Sequence, residues 1–321
     1  MDDIEAAKAY LQPIEETLEL SSGIRYVAIF FNPDPDALKE RPELFPIARA
    51  AYTLSIVERS HFAAIATLAR THRWLTGAID QRENGNLLAF SAALRGLLEA
   101  CADSYDALKF LPKALLDGRE RLYRTLHSPE STKEILLMKD LEERLIHFGF
   151  ARKQKKGSSA PKEHNAKPNT TYIREIEAFG VPKAIDLYAE LCELTHPASP
   201  SVDCFVDQSP HSYTLNFVRD TAEIESIISR YSGTILNLAM FTLNPALICL
   251  HFISRLIPEW PSPAPEYFAQ VPFAKNAAQF DDLASSIGAP RSIDAFQQLL
   301  LLLMGAEDSN TSHDLSPDAF A

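Results

Sequence analysis

Apolar side chains recur every three or four residues along most of this chain of 321 residues. Such spacing places them on one face of a helix, so it predicts a succession of amphipathic helices. Asn86 is a typical N-terminal cap for the helix that follows it. The predicted helices cover, in chain order, residues 2–20, 44–79, 87–106, 119–126, 129–150, 171–179, 182–195, 220–256 and 292–304.

Three stretches interrupt this pattern. Residues 25–31, RYVAIFF, have high β propensity but no evident partner strand, and the sequence leaves open whether they form a helix or an extended arm. Residues 151–170 combine low hydrophobicity with prolines and lysines, which indicates a linker. Residues 197–216 contain three prolines and are predicted to be irregular, and a capping box formed by Asp220 and Glu223 opens the next helix.

The pattern predicts an all-α fold, a multi-helix bundle with a flexible basic loop and a small C-terminal helical extension. The expected divisions are an N-terminal helix and arm (1–35), a main bundle (36–260, with the linker at 151–170) and a C-terminal extension with a disordered polar tail (261–321). Residues 234–257 are apolar enough to cross a membrane, but they contain polar and charged side chains, which are costly at bilayer depth. A buried central helix is therefore the favoured prediction, and no membrane association is expected.

The chain carries a formal net charge of −12, which opposes general affinity for nucleic acid. Any such contact has to be local, and the loop at 151–167 offers one, because it holds six cations and one anion. This loop either grips RNA or nucleotide phosphates or forms an ordinary solvated surface. Its candidate substrate-binding residues are Lys153, Lys155 and Lys156.

Motifs for nucleotide, zinc-protease, serine-hydrolase and calcium sites do not occur in the sequence, so we predict neither a cofactor nor a metal. Two histidines, an aspartate and a cysteine between residues 196 and 211 lack a recognised ligand spacing. The four cysteines are dispersed, which is typical of reduced cytosolic thiols. The N-terminus, MDDIEAAKAY, shows no apolar leader, so the predicted location is cytoplasmic.

A candidate site combines side chains from two predicted helices that we expect to be neighbours. Arg95 and Glu99 lie four residues apart, on one helical face. On the other helix, Tyr188, Cys192 and either Thr195 or His196 share a face, because the spacings are four, three and four residues. The proline after His196 ends that helix, which leaves the imidazole at a C-terminus, where the protonated form is favoured.

Two interpretations of these residues remain open. If Arg95 and His196 meet, they could hold a phosphate or move a proton during phosphodiester cleavage, with Glu99 and Tyr188 binding the substrate. Alternatively, Arg95 and Glu99 form an ordinary intrahelical ion pair, while His196 and Tyr188 stabilise the end of their helix. The distance from the Arg95 guanidinium to the His196 imidazole decides between them.

The segments RGLLEACAD and YAELCELTHPAS resemble those of a group of uncharacterised bacterial all-helical proteins distantly related to the HEPN superfamily. The resemblance extends at most over residues 44–200 and implies a helical bundle that dimerises. It also implies a metal-independent ribonuclease whose catalytic motif is an arginine followed by a histidine. In this chain RLYRTLH offers Arg121 and His127 at that spacing, with a leucine where the family has a polar residue after the arginine.

The first functional hypothesis is therefore a HEPN-like protein, an RNA-cleaving or nucleotide-binding effector of bacterial defence or stress response. It would bind RNA or a nucleotide at the basic loop and work as a homodimer. The alternative is a non-catalytic helical protein that dimerises or binds a partner through apolar faces such as 292–304. Cleavage of labelled RNA that depends on Arg121, His127 and His196 would favour the first hypothesis, and capture of a partner would favour the second.

Overall fold

α-Helices form most of the described part of this computed structural model. The structure describes residues 2–29, 35–131, 138–155, 161–197, 199–216, 218–268 and 276–303. Lys156 and the predicted polar tail lie outside these ranges. The helical content confirms the predicted all-α, multi-helix class.

The secondary structure elements follow one another with short connections. The helices are Asp3–Ala7 (α1), Leu11–Leu20 (α2), Pro35–Glu40 (α3), Phe45–Glu83 (α4), Leu87–Leu108 (α5), Leu111–His127 (α6), Lys139–Phe150 (α7), Asn169–Phe179 (α8), Ala184–Thr195 (α9), Ser199–Asp203 (α10), Asp220–Arg230 (α11), Thr234–Leu256 (α12), Ala278–Ile287 (α13) and Ile293–Leu303 (α14). Within the described ranges, the strands are Val206–Ser209 (β1) and Ser212–Leu215 (β2). Single 3-10 turns lie at Lys8–Tyr10, Pro42–Leu44, Pro129–Ser131, Lys162–His164 and Pro265–Phe268.

The centre of the fold is an antiparallel pair of helices, α4 and α5, against which α12 packs. Asn86 caps α5 as predicted, because its side-chain oxygen accepts a hydrogen bond of 3.1 Å from the Ala89 N–H. The pair closes tightly where the Trp74 ring lies over Gly96, since a Cβ atom at Gly96 would come within 2.7 Å of the ring. The predicted apolar face of α5 is buried, including Leu87, Phe90, Leu94, Leu97, Leu98 and Cys101.

α12 is long and apolar enough to cross a membrane, and no other helix in the described ranges passes that test. In the structure, however, 67% of its most apolar window is buried. It packs against α4, α5 and α6, with side chains such as Leu250 and Phe252 fully buried. This is the position predicted for a buried central helix.

The first and last described helices pack against this bundle. α1 lies against α12, and Ile14 of α2 is fully buried where that helix meets α4. α14 lies on α4 with Phe296 and Leu300 buried, while Leu301 is 46% exposed. Part of the apolar face at 292–304, which we predicted to bind a partner, is therefore covered by the core of the chain itself.

The described part of the segment with β propensity forms an irregular arm that lies against α4. The backbone N–H groups of Val27 and Ala28 both donate to the Glu58 carboxylate, at 2.7 Å each. The Tyr26 hydroxyl lies 2.9 Å from His61 Nδ1. Because side chains of α4 satisfy its polar groups, the arm needs no partner strand. The described residues 25–29 are neither helix nor strand, with bends at Val27 and Ala28, so the helical alternative is wrong for this part of the stretch.

The predicted long helix over residues 220–256 is wrong, since two helices occupy that range. Gly233 has φ 84°, a left-handed conformation, and the chain turns there between α11 and α12. The predicted capping box is also absent from the start of α11. Instead, the Asp220 carboxylate accepts a hydrogen bond of 3.1 Å from the Leu87 N–H, and so satisfies a donor at the start of α5.

The prediction that residues 197–216 are irregular is also wrong. They contain α10 and an antiparallel hairpin of β1 and β2, paired from Val206 with Leu215 to Ser209 with Ser212. Pro210 lies in the turn, where it removes no hydrogen bond from the ladder. The prolines that suggested irregular structure therefore fall outside the strands.

Candidate functional site

The Arg95 side chain links α5 to α9, the two helices expected to be neighbours. Its Nε donates to Glu99 Oε1 at 3.1 Å, and its Nη1 donates to Thr195 Oγ1 at 3.0 Å. The Tyr188 hydroxyl donates to the same Glu99 oxygen at 3.2 Å. The guanidinium carbon also lies 5.7 Å from the centre of the Tyr188 ring. Three predicted site residues, Arg95, Glu99 and Tyr188, therefore converge.

His196 stands directly after this cluster. α9 ends at Thr195, and His196 follows in an extended conformation with φ −91° and ψ 154°, as expected for a residue before proline. Its side chain is exposed, and the group of this segment that accepts from Arg95 is the Thr195 hydroxyl. These contacts favour the structural interpretation for Arg95 and Glu99, which form the intrahelical ion pair. Arg95 in addition links the two helices through Thr195, which that interpretation did not include.

Arg121 and His127 lie on different sides of α6, because six residues in a helix correspond to a separation of about 120° around its axis. His127 is buried, where its Nε2 donates to the Leu256 carbonyl at 2.8 Å and its Nδ1 accepts from the Arg291 N–H at 2.9 Å. Burial lowers the pKa of His127 to about 4. Arg121 is exposed. The structure does not bring this pair together.

The described limbs of the basic loop are joined to each other by backbone hydrogen bonds. The Arg152 N–H donates to the His164 carbonyl at 3.0 Å, and the Ala166 N–H donates to the Arg152 carbonyl at 3.2 Å. Lys153 and Lys155 are exposed. The loop is therefore fixed at its base, where it meets α7, and presents both lysines to solvent.

A cavity of about 550 Å³ lies between the end of α5, α7 and the returning limb of this loop. The cations that line it are Arg144, Lys162 and Lys167, and the carboxylates are Asp106, Asp140, Glu143 and Glu163. His147 of α7 also lines the cavity and holds the limb in place, since its Nδ1 donates to the Glu163 carbonyl at 2.8 Å. Its Nε2 is hydrogen-bonded to the Tyr172 hydroxyl. Both ring nitrogens are therefore engaged within the protein.

Asp106 is the buried centre on which the cations of this region converge. Only 5% of its side chain is exposed, and it accepts from Arg144 at 2.7 Å, Lys167 at 2.9 Å and Lys109 at 3.0 Å. Burial alone would raise the pKa of Asp106, but hydrogen bonds from Lys167 and Lys109 hold it well below its usual range. The carboxylate therefore stays charged and fixes three cations in place.

Sequence reasoning missed the residues that build this cavity. Asp106 is 38 residues from Arg144 and 61 residues from Lys167, so no local spacing reveals that they meet. The charge of the loop was the one signal that pointed to this region, and it identified Lys167 as one cation among several. Asp106 and Arg144 carried no signal in the sequence.

A second cavity, of about 340 Å³, lies between α9, α10 and α11 and is rich in carboxylates. Glu190, Glu193, Asp203 and Glu223 line it together with Cys204 and Arg219. Burial raises the pKa of the Cys204 thiol, which keeps it from acting as a ready metal ligand. Among the described residues, no group of three or more histidine, cysteine, aspartate or glutamate side chains is arranged to hold a metal ion.

Comparison of the chain with protein-family models, with curated proteins and with solved structures found no match. The relationship to the HEPN superfamily therefore stays a prediction from two short motifs.

Proposed function

We propose that this chain binds an RNA or a nucleotide by its phosphates in the cavity between α5, α7 and the basic loop. The observation that carries the proposal is that Arg144 and Lys167 converge on buried Asp106 and still expose 35% and 41% of their side chains. Because Asp106 holds both cations in position, little side-chain freedom is lost when they bind an anion. The pair is therefore preorganised for a phosphate.

The carboxylates of the cavity restrict the type of anion. Asp140, Glu143 and Glu163 would repel a bare phosphate, but they can accept hydrogen bonds from ribose hydroxyls and base amino groups. A nucleotide offers those donors together with its phosphate. Exposed Lys153 and Lys155 add two cations along the loop, where further phosphates of an RNA strand would lie.

The cavity supports binding, and cleavage is a separate question. Its histidine, His147, is engaged at both ring nitrogens, and His127 is buried away from Arg121. Cleavage by Arg95, Arg121, His127 or His196 and a cytoplasmic role in bacterial defence or stress response stay predictions. Incubation of purified protein with labelled RNA tests them separately from binding.

Fluorescence anisotropy with a labelled single-stranded RNA tests the proposed binding. Lys162→Glu reverses an exposed charge of the cavity, and we expect it to weaken binding by about tenfold or more, the effect of losing one charge-assisted contact. Lys39→Glu is the matched control, because it makes the same change at a 74% exposed lysine of α3 outside the cavity lining. Equal affinities of the two variants would refute the proposal.

A second candidate function, dimerisation without catalysis, is favoured by the β1–β2 hairpin. Tyr213 and Leu215 of β2 are 73% and 67% exposed. Two strands alone are marginally stable in water, and an open strand edge can pair with the same edge of a second copy around a two-fold axis. We expect Leu215→Lys to convert a dimer into a monomer in light scattering. A monomeric wild-type protein at micromolar concentration would contradict this candidate.

A further inference from the structure

Two half-exposed aromatic rings lie beside the cavity described above. Phe110, just before α6, and Phe179, the last residue of α8, expose 52% and 50% of their surface. Their ring centres lie 6.5 Å apart with an interplanar angle of 74°. Exposed apolar side chains that are grouped in this way mark contact surfaces more often than scattered ones do.

Lys109 supports both rings and joins them to the cavity. Its Nζ lies 5.7 Å from the centre of the Phe110 ring and 5.5 Å from that of Phe179. The same ammonium donates to Asp106 at 3.0 Å and to Glu175 at 2.8 Å. Because only 7% of the Lys109 side chain is exposed, it contacts the rings from inside the protein and leaves their exposed surface open.

Arg144 makes the second connection between the rings and the cavity. Its guanidinium carbon lies 5.7 Å from the centre of the Phe110 ring, and its Nη1 donates to Asp106 at 2.7 Å. A phosphate held by Arg144 would therefore lie within roughly one nucleotide of Phe110. The basic loop itself contributes no such ring, so the aromatic component of the surface comes from α6 and α8.

We propose that Phe110 and Phe179 stack against unpaired bases of a single-stranded RNA whose phosphates occupy the neighbouring cavity, an inference that rests on the proposed function. Proteins bind single strands with little sequence preference by combining cations that contact the phosphates with aromatic rings on which the bases stack, because every base has a π-face. In a duplex the bases are stacked on one another and cannot reach the rings. The site therefore selects single strands over duplexes.

The exposed donors of the cations favour an anionic occupant, although the lining of the cavity as a whole holds four carboxylates and three cations. Arg144, which lies against Phe110, exposes 35% of its side chain, and Lys167 exposes 41%. Asp106 already pairs with both cations, but an apolar peptide seated on Phe110 and Phe179 would remove water from their exposed donors without replacing it, which is costly. A nucleic acid satisfies the cations with phosphates and the rings with bases.

The test is titration of the full chain with three fluorescent RNAs: a single strand, the duplex of the same sequence, and the same strand made of abasic nucleotides. We expect the normal strand to bind about tenfold tighter than either other probe. Phe110→Ala and Phe179→Ala should each lower its affinity about tenfold and leave the affinity for the abasic strand unchanged. Phe110→Trp keeps an aromatic ring at this position, so it should bind the normal strand as tightly as the wild type does. The bound strand should also quench the tryptophan fluorescence of this variant.

Phe45→Ala is the matched control, because it removes a 43% exposed ring at the start of α4, and it should bind like the wild type. If the abasic strand binds as tightly as the normal one, and both phenylalanine variants match the wild type, stacking is overturned while phosphate binding stands. If no RNA binds the wild type, the proposed function itself fails. Altered self-association of Phe110→Ala with unchanged RNA affinity would assign the rings to a protein contact and overturn the inference.

Discussion

Glu58 and His61, one turn apart in α4, are buried ionisable groups whose pKa values shift in opposite directions. Burial raises the pKa of Glu58 to about 7, although the N–H groups of Val27 and Ala28 stabilise its charged form. Burial lowers the pKa of His61 to about 3. Both shifts have one cause, because surroundings of low polarity disfavour charge of either sign. The arm and α4 therefore meet around two groups that resist ionisation.

These two shifts have opposite effects on the free energy of unfolding as pH changes. The contribution of Glu58 is present below its ordinary pKa of 4.5 and is lost as pH rises through about 7, because the folded state binds the proton more tightly. The contribution of His61 is present above its ordinary pKa of 6.5 and is lost as pH falls towards about 3. Between pH 4.5 and 6.5, lowering the pH therefore stabilises the fold through Glu58 and destabilises it through His61.

Glu58→Gln should therefore expose the pH dependence caused by His61. The free energy of unfolding of this variant should fall by up to about 1.4 kcal/mol per pH unit, relative to that of the wild type, as pH is lowered through this window. Urea unfolding curves at several pH values measure the difference. Profiles that run parallel for the two proteins would show that the Glu58 pKa is not raised.

His127→Ala should affect folding rather than binding. The substitution leaves the Leu256 carbonyl and the Arg291 N–H without their buried partner, which costs about 1–3 kcal/mol of unfolding free energy. Arg121→Ala, at an exposed position of the same helix, should change stability by less than about 0.5 kcal/mol. If both variants instead abolish an RNA cleavage activity while keeping full stability, this result would support the sequence prediction that Arg121 and His127 are a catalytic pair.

Helices α4 and α5 approach closely at one glycine, and this contact can be tested directly. Gly96→Ala would place a Cβ atom 2.7 Å from the Trp74 ring, so the ring has to move. We expect a net loss of about 1–3 kcal/mol in unfolding free energy and a red shift of Trp74 fluorescence. Gly149→Ala in α7 is the control, because nothing lies within 4 Å of the added Cβ atom. The higher helix propensity of alanine should raise the unfolding free energy of this variant by about 0.5–1 kcal/mol. Equal stability of both variants would contradict the close packing.

Most helices were predictable because helical periodicity is a local property of the sequence. α5 and α9 therefore end close to their predicted limits, with Asn86 as the cap of the first. The break at Gly233 was not predictable in the same way, since a glycine within a helical pattern either continues or ends the helix according to its packing. The β2 strand was missed because all of its residues are exposed, so burial imposes no alternation on it.

The cavity could not be predicted because it depends on how distant elements pack in the whole molecule. Charge identified the basic loop, but Asp106 and Arg144 join it through contacts between α5 and α7 that no spacing encodes. The same limit applies to Arg95, for which the neighbouring helix was predicted correctly. Its contact is Thr195 rather than His196, because the chain is already extended at His196.

A salt titration of RNA binding tests the central claim, that cations of the cavity contact RNA phosphates. The logarithm of the binding constant should fall linearly with the logarithm of salt concentration, because phosphate contacts release counterions. Lys162→Ala should reduce the slope by about 0.7, the value for one phosphate contact on a single strand, while Lys39→Ala should leave it unchanged. Binding that is insensitive to salt, or a slope that Lys162→Ala does not change, would contradict the account.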